Sequence, residues 1–135
     1  MKVLALNITI VAASGNNPAS SAKPVFPAAY SGVWAATAVD ASGELFSGAT
    51  RARYTLLAAP GAQVWVPTPR GGEYVSGTSY AAALATAALA WWPPSFWELG
   101  AAQRAERICM VARKLPQSPY VGCGLVQGTG FDKRQ

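Results

Sequence analysis

Apolar residues fall along this chain in short unbroken blocks, each stopped by a polar turn or by glycine and proline. Ile8 to Ala13 is the first such block, ending in Ser14-Gly15-Asn16-Asn17-Pro18. Its apolar character at consecutive positions predicts a strand covered on both faces, as in a parallel sheet. A polar loop follows from Asn16 to Lys23. Val33 to Val39 is the second predicted strand, stopped by Asp40-Ala41-Ser42-Gly43, and Tyr54 to Ala59 is the third, closed by Pro60-Gly61. Val64-Trp65-Val66 and Tyr74-Val75 read as a short hairpin around Pro67, Pro69 and Gly71-Gly72.

The period then changes. From about Thr78 to Trp92 the chain is almost all small or apolar, which predicts a buried helix. Ala81, Ala82, Ala85, Ala88 and Ala90 form a face that can lie close against neighbouring backbone. A second helix is predicted from about Ala101 to Leu115. Ala105, Ile108, Cys109, Ala112 and Leu115 share one arc, Gln103, Glu106, Arg107, Arg113 and Lys114 the other, and Pro116 stops it. Strands followed by crossovers and helices imply an α/β fold with a parallel sheet and flanking helices. No repeat or second domain is visible, so residues 1–135 read as part of one domain. The first strand lies so near Met1 that the chain reads as the later part of such a sheet.

Composition agrees. Of 135 residues, 51% are apolar and 13% charged, which supports a sizeable core and argues against disorder. The net charge of +5 draws on Arg104, Arg107, Arg113, Lys114, Lys133 and Arg134. These lack interleaved aromatics or a known motif, so they read as a solvated helix face and not a nucleic-acid surface. Met1 to Ala13 imitates a short signal peptide, but Asn7 and Thr9 interrupt it and it leads straight into a turn, so it is read as buried strand. Tyr80 to Trp92 is too short to span a bilayer. Cys109 and Cys123 lack metal-ligand spacing. Two buried thiols or one disulfide would fit them, with thiols preferred because Cys109 falls on the apolar arc. No metal or cofactor is expected.

The chemistry centres on Gly77-Thr78-Ser79-Tyr80-Ala81-Ala82. This step from turn to helix places the Ser79 hydroxyl beside unpaired backbone N–H groups and the positive end of a helix dipole. Such a setting suits a nucleophile whose reaction makes an oxyanion. Serine needs a base, usually histidine, and the chain has none. Taken singly, a serine at a helix start is a cap and an asparagine after glycine is a turn residue.

Three motifs occur in order: Ala12-Ala13-Ser14-Gly15-Asn16, Ala58-Ala59-Pro60-Gly61 and Gly77-Thr78-Ser79-Tyr80-Ala81-Ala82. With Pro24-Val25-Phe26-Pro27, Ala38-Val39-Asp40 and Gly122-Cys123-Gly124-Leu125-Val126, they make nearly the whole chain resemble the subtilisin-like serine peptidases, most closely the bacterial members. The resemblance implies the C-terminal portion of a subtilase catalytic domain, with a partial subtilisin-like parallel sheet. It implies Ser79 as nucleophile and Asn16 as the side-chain donor to the oxyanion. Ala13, Ser14, Gly15, Val25 and Thr78 are then substrate-binding positions, with Val25 in the wall or floor of the pocket for the residue before the scissile bond. Where the family has a proline four residues after the serine this chain has Ala83, and Ala87 replaces a following glycine.

The family's catalytic aspartate and histidine lie N-terminal to every segment seen here, and neither Asp40 nor Asp132 matches. The resemblance therefore implies a serine endopeptidase, acting on peptides or proteins, that is incomplete in this chain and inactive alone. An N-terminal subtilase segment would supply the missing pair, having been separated by truncation, gene splitting or a misplaced start codon. For the complete protein, a secreted or periplasmic location is implied. The alternatives are a catalytically dead relic or peptide-binding pseudoenzyme and, more remotely, an unrelated hydrolase with another base.

Overall fold

In a computed structural model, residues 2–20, 23–116 and 119–128 are described. Asp132, Lys133 and Arg134 lie outside them. Three strands, β1 (Ile10–Ala13), β2 (Val33–Val39) and β3 (Thr55–Pro60), form a parallel sheet in the order β1-β2-β3. Ile10 pairs with Val33 and Ala13 with Ala36, while Val39 pairs with Pro60 across a register shift at Ala35/Ala36. β2 is buried at all seven positions because it is central. β1 is a terminal strand, paired at one edge only among the described residues, and only Ala12 in it is buried.

The hairpin stands apart from this sheet: β4 (Val64–Thr68) pairs antiparallel with β5 (Gly71–Val75), with Trp65 opposite Tyr74. Among the described residues there are four α-helical segments, α1 (Lys2–Ala5), α2 (Thr78–Ala90), α3 (Pro94–Trp97) and α4 (Ala101–Val111), and one 3-10 turn at Pro18–Ser20. The segment read as continuous buried strand from Met1 is therefore divided. Lys2–Ala5 coils before Asn7, which adopts a left-handed φ of 58° and turns the chain into β1. Pro93-Pro94 ends α2 as expected, but the second proline also starts the extra turn α3. Among the described residues no helix is long and apolar enough to cross a membrane.

One face of the sheet meets α2. Ala81, Ala85 and Leu89 pack against Ala36, Ala38, Leu57 and Ala59, and Phe96 and Ile108 extend the cluster. Alanine on both sides brings helix and sheet backbones close. At Gly61 a Cβ would lie 2.6 Å from the Ala38 Cβ and 2.9 Å from that of Ala81, so only glycine fits where the chain passes beneath the start of α2. Of the alanine face read from the sequence, Ala90 is exposed, and Thr78 and Leu89 take buried places instead. The opposite face is covered by crossover segments, where Ala28 and Tyr54 pack on Ala12, Val33 and Ala35.

Two expectations about the C-terminal third are corrected. Cys109 and Cys123 form a disulfide, with Cα atoms 5.2 Å apart. The apolar arc of α4 brings Cys109 to the segment beside β3, where a second cysteine waits. Arg104 does not belong to a solvated face; it is 1% exposed. Its guanidinium donates to Thr9 Oγ1 and the Asn7 carbonyl, each at 2.7 Å, and to the Asn7 side-chain oxygen.

Candidate active site

The carboxyl end of β1 and the amino end of α2 meet at the top of the sheet. No side chain caps α2 at Gly77 and its first turn holds no acid, so the first N–H groups need partners from elsewhere. Asn16 supplies one. Its Oδ1 accepts from the Thr78 N–H at 2.8 Å and from Thr78 Oγ1 at 3.0 Å. Thr78 Oγ1 in turn accepts the Gly15 N–H at 3.2 Å. With its oxygen so occupied, the Asn16 amide keeps its Nδ2 donors beside Gly77. A Cβ at Gly77 would sit 3.5 Å from that nitrogen.

Ser79, next in the chain, is exposed and is the second residue of α2. Its own N–H falls among those the helix cannot satisfy internally. A side-chain amide, the N–H groups of a helix start and an exposed serine thus belong to one turn. This arrangement can bind developing negative charge without moving a proton.

The turn that carries Asn16 is itself clamped. Thr50, fully buried, donates its N–H to the Gly15 carbonyl at 2.8 Å, and its Oγ1 bonds both the N–H and the carbonyl of Asn17 at 3.0 and 3.1 Å. Gly15 has a φ of 114°, and a Cβ there would come within 2.7 Å of Thr50 Oγ1 and 3.0 Å of Val25 Cγ2. Glycine is thus required both for the backbone angle and for the room. The same contact puts half-buried Val25 directly against the Gly15 turn. The Tyr54 hydroxyl accepts the Val25 N–H at 3.0 Å and donates to the Ser14 carbonyl at 3.3 Å, tying that wall to β1.

The structure therefore gathers Gly15, Asn16, Val25, Thr78 and Ser79 at one place. Ala13 is half-buried at the end of β1. Ser14 points its side chain into the protein, fully buried, while its N–H is given to the Ala36 carbonyl. Thr50 and Tyr54 escaped sequence reasoning. They lie 33 and 29 residues from the partners they hold, and no local spacing marks them.

Asp40 is engaged within its own turn. Its Oδ1 accepts from Ser42 Oγ at 2.7 Å and from the Ser42 and Glu44 N–H groups, both at 2.9 Å. These hydrogen bonds, led by that from the Ser42 hydroxyl, hold its carboxyl below the usual value. It caps its own turn and orients no base. Among the described residues no three His, Cys, Asp or Glu side chains cluster as a metal site would need.

A parallel α/β sheet with a serine at a helix start and an asparagine just past a strand end is a ground plan that hydrolases with an oxyanion hole use. The comparisons narrow that class. The subtilase family profile matches residues 2–117, and the chain belongs to the subtilase family. Among solved structures it is similar to the self-cleaved protease domain of PatA, with a TM-score of 0.75 and 23% identity over 96% of this chain and 50% of that one. It is also similar to the MycP3 protease of the type VII (ESX-3) secretion system, with 0.73 and 26% over 93% and 44%. For the serine protease MycP1 of the ESX-1 system the values are 0.71 and 25% over 90% and 42%. No curated protein matches. The chain spans about half the length of the solved structures it resembles.

Proposed function

We propose that this chain is the nucleophile-bearing, C-terminal part of a subtilase that hydrolyses peptide bonds in peptides or proteins. The observation that supports the reading is the seating of Asn16 on Thr78, which fixes its amide beside the helix start that carries Ser79. In the reaction Ser79 Oγ bonds the scissile carbonyl carbon, and the oxyanion is held by Asn16 Nδ2 and the Ser79 N–H. The amide C–N bond then breaks, leaving an acyl-enzyme that water hydrolyses. The hydroxyl proton passes through a base to the leaving amine. That base, and the acid that orients it, come from a separate N-terminal subtilase segment, since this chain has no histidine. The Cys109–Cys123 disulfide fits a secreted or periplasmic location for the complete protein.

The missing histidine equally supports a second reading, a peptide-binding subtilase without turnover. Subtilase clefts take peptides as added strands, a mode that uses backbone and needs no triad. A fluorophosphonate probe separates the readings. The purified chain is expected to remain unlabelled, and Ser79 to become labelled once a segment carrying the catalytic Asp and His is bound. Labelling of Ser79 in the chain alone would refute the need for a partner. No labelling in the assembled complex would leave the peptide-binding reading.

A further inference from the structure

Arg104 is buried at the floor of a cavity of about 330 Å³ that opens between Thr9 and Val11 of the β1 side, Thr86 and Ala90 of α2, and Trp97. All its hydrogen-bond partners among the described residues are neutral: the Thr9 hydroxyl and the Asn7 carbonyl and amide oxygens. Its Nε is buried with no acceptor. The guanidinium also lies over the Trp97 ring, 5.7 Å from its centre, which shields it further from water. A buried cation normally has a counter-charge. Here hydroxyl and amide oxygens hold it in place, and no carboxylate among the described residues bonds it.

The cavity adjoins the unpaired edge of β1, where one side of the strand has no ladder among the described residues. Its lining includes exposed apolar surface: Ile8 beside β1 is 50% exposed, and Ala90 at the end of α2 is exposed as well. An added strand on that edge would lie about 4.8 Å from β1. A side chain on its α2 face would point into the cavity beside Val11.

We infer that the edge of β1 and this cavity together form the seat for a strand bearing an aspartate or glutamate, whose carboxylate completes the Arg104 site. That the strand belongs to the segment supplying the catalytic base rests on the function proposed above; the acidic specificity of the seat does not. Arg104 is a docking residue, remote in role from Ser79. The peptide backbone gives affinity by pairing with β1, and the buried guanidinium selects the acidic residue.

Two acetylated, amidated peptides test it, Lys-Thr-Val-Glu-Val-Thr-Lys and its counterpart with Gln in place of Glu. They are titrated into the full chain by calorimetry, with the Arg104 Nε–H resonance followed by NMR. The Glu peptide is expected to bind at least tenfold more tightly than the Gln peptide and to shift the Nε–H downfield. In R104M, where the Thr9 and Asn7 contacts are also lost, the two peptides are expected to bind alike. Equal affinities on the unaltered chain, no binding of either peptide, or an unmoved Nε–H resonance would overturn the inference, whatever R104M does. So would an equal shift with acetate alone, which would mean an adventitious ion only. None of these outcomes bears on fluorophosphonate labelling of Ser79, so the seat and the proposed activity fail separately.

Discussion

Breaking the Cys109–Cys123 bridge should release the outer edge of β3. The segment after α4 runs alongside that strand: the Cys123 N–H bonds the Leu56 carbonyl, the Ala58 N–H bonds the Gly124 carbonyl, and the Val126 N–H bonds the Ala58 carbonyl, each at 2.8 Å. Arg113 and Leu125 exchange two further bonds at 3.0 and 2.8 Å, closing the loop behind α4. The bridge joins residues 14 apart, and a closed loop of that size constrains the open chain by about 3 kcal/mol. In the double variant Cys109→Ser/Cys123→Ser the segment therefore leaves β3 more readily by that amount, about 10²-fold in population. Native-state hydrogen exchange reads this directly. The Ala58 amide, which depends on Gly124, should lose about 10²-fold protection while the amides of central β2 change far less. An Ala58 amide exchanging at the same rate in both proteins would refute the reasoning, for it would mean that the backbone pairing holds without the covalent tie. Equal loss at β2 would also refute it, by showing that the bridge stabilises the whole sheet.

Two other outcomes follow from the site and the turn beside it. In the assembled enzyme, Val25→Gly should raise kcat/KM for large aromatic residues before the scissile bond by about tenfold relative to alanine, because the removed methyls abut Gly15; an unchanged ratio would take Val25 out of the pocket. The Asp40 carboxyl, depressed by its turn hydrogen bonds, stabilises the fold above its unfolded value of about 3.9 and loses that contribution as pH falls through its lower folded value. Denaturant midpoints measured from pH 5 downward should therefore decline more steeply for the unaltered chain than for Asp40→Asn, and parallel profiles would dismiss the capping role.

What sequence reasoning could reach was whatever local spacing encodes. Val33–Val39 is found where expected because a seven-residue apolar run between turns has few other solutions, and the motif around Ser79 marks a helix start by its own chemistry. Lys2–Ala5 was misread because a short apolar run carries no period that separates strand from buried helix. Arg104 shows a different limit. It lies four residues before Ile108, hence on the apolar arc of α4, and that spacing was a usable signal of burial. Nothing near it could disclose that its partners are Asn7 and Thr9, 97 and 95 residues away. The same holds for Thr50 and Tyr54, whose importance comes from crossovers folding back over the β1 turn. The thiols were judged by the burial of one helix face, and only tertiary placement shows that Cys123 reaches it.

The bond from Thr78 to Asn16 closes a span of 62 residues. Bringing such distant points together costs about 4 kcal/mol of chain entropy before any contact repays it. The β2 and β3 strands, the hairpin and the turn into α2 all lie within the closed span, so they must be laid down before the amide of Asn16 has anything to lean on. During synthesis the chain therefore emerges with Ser79 beside an unset turn, and Asn16 reaches Thr78 only when the sheet is finished. The seating of Asn16 on Thr78 is in this sense a late event, a seal that closes only on a finished fold.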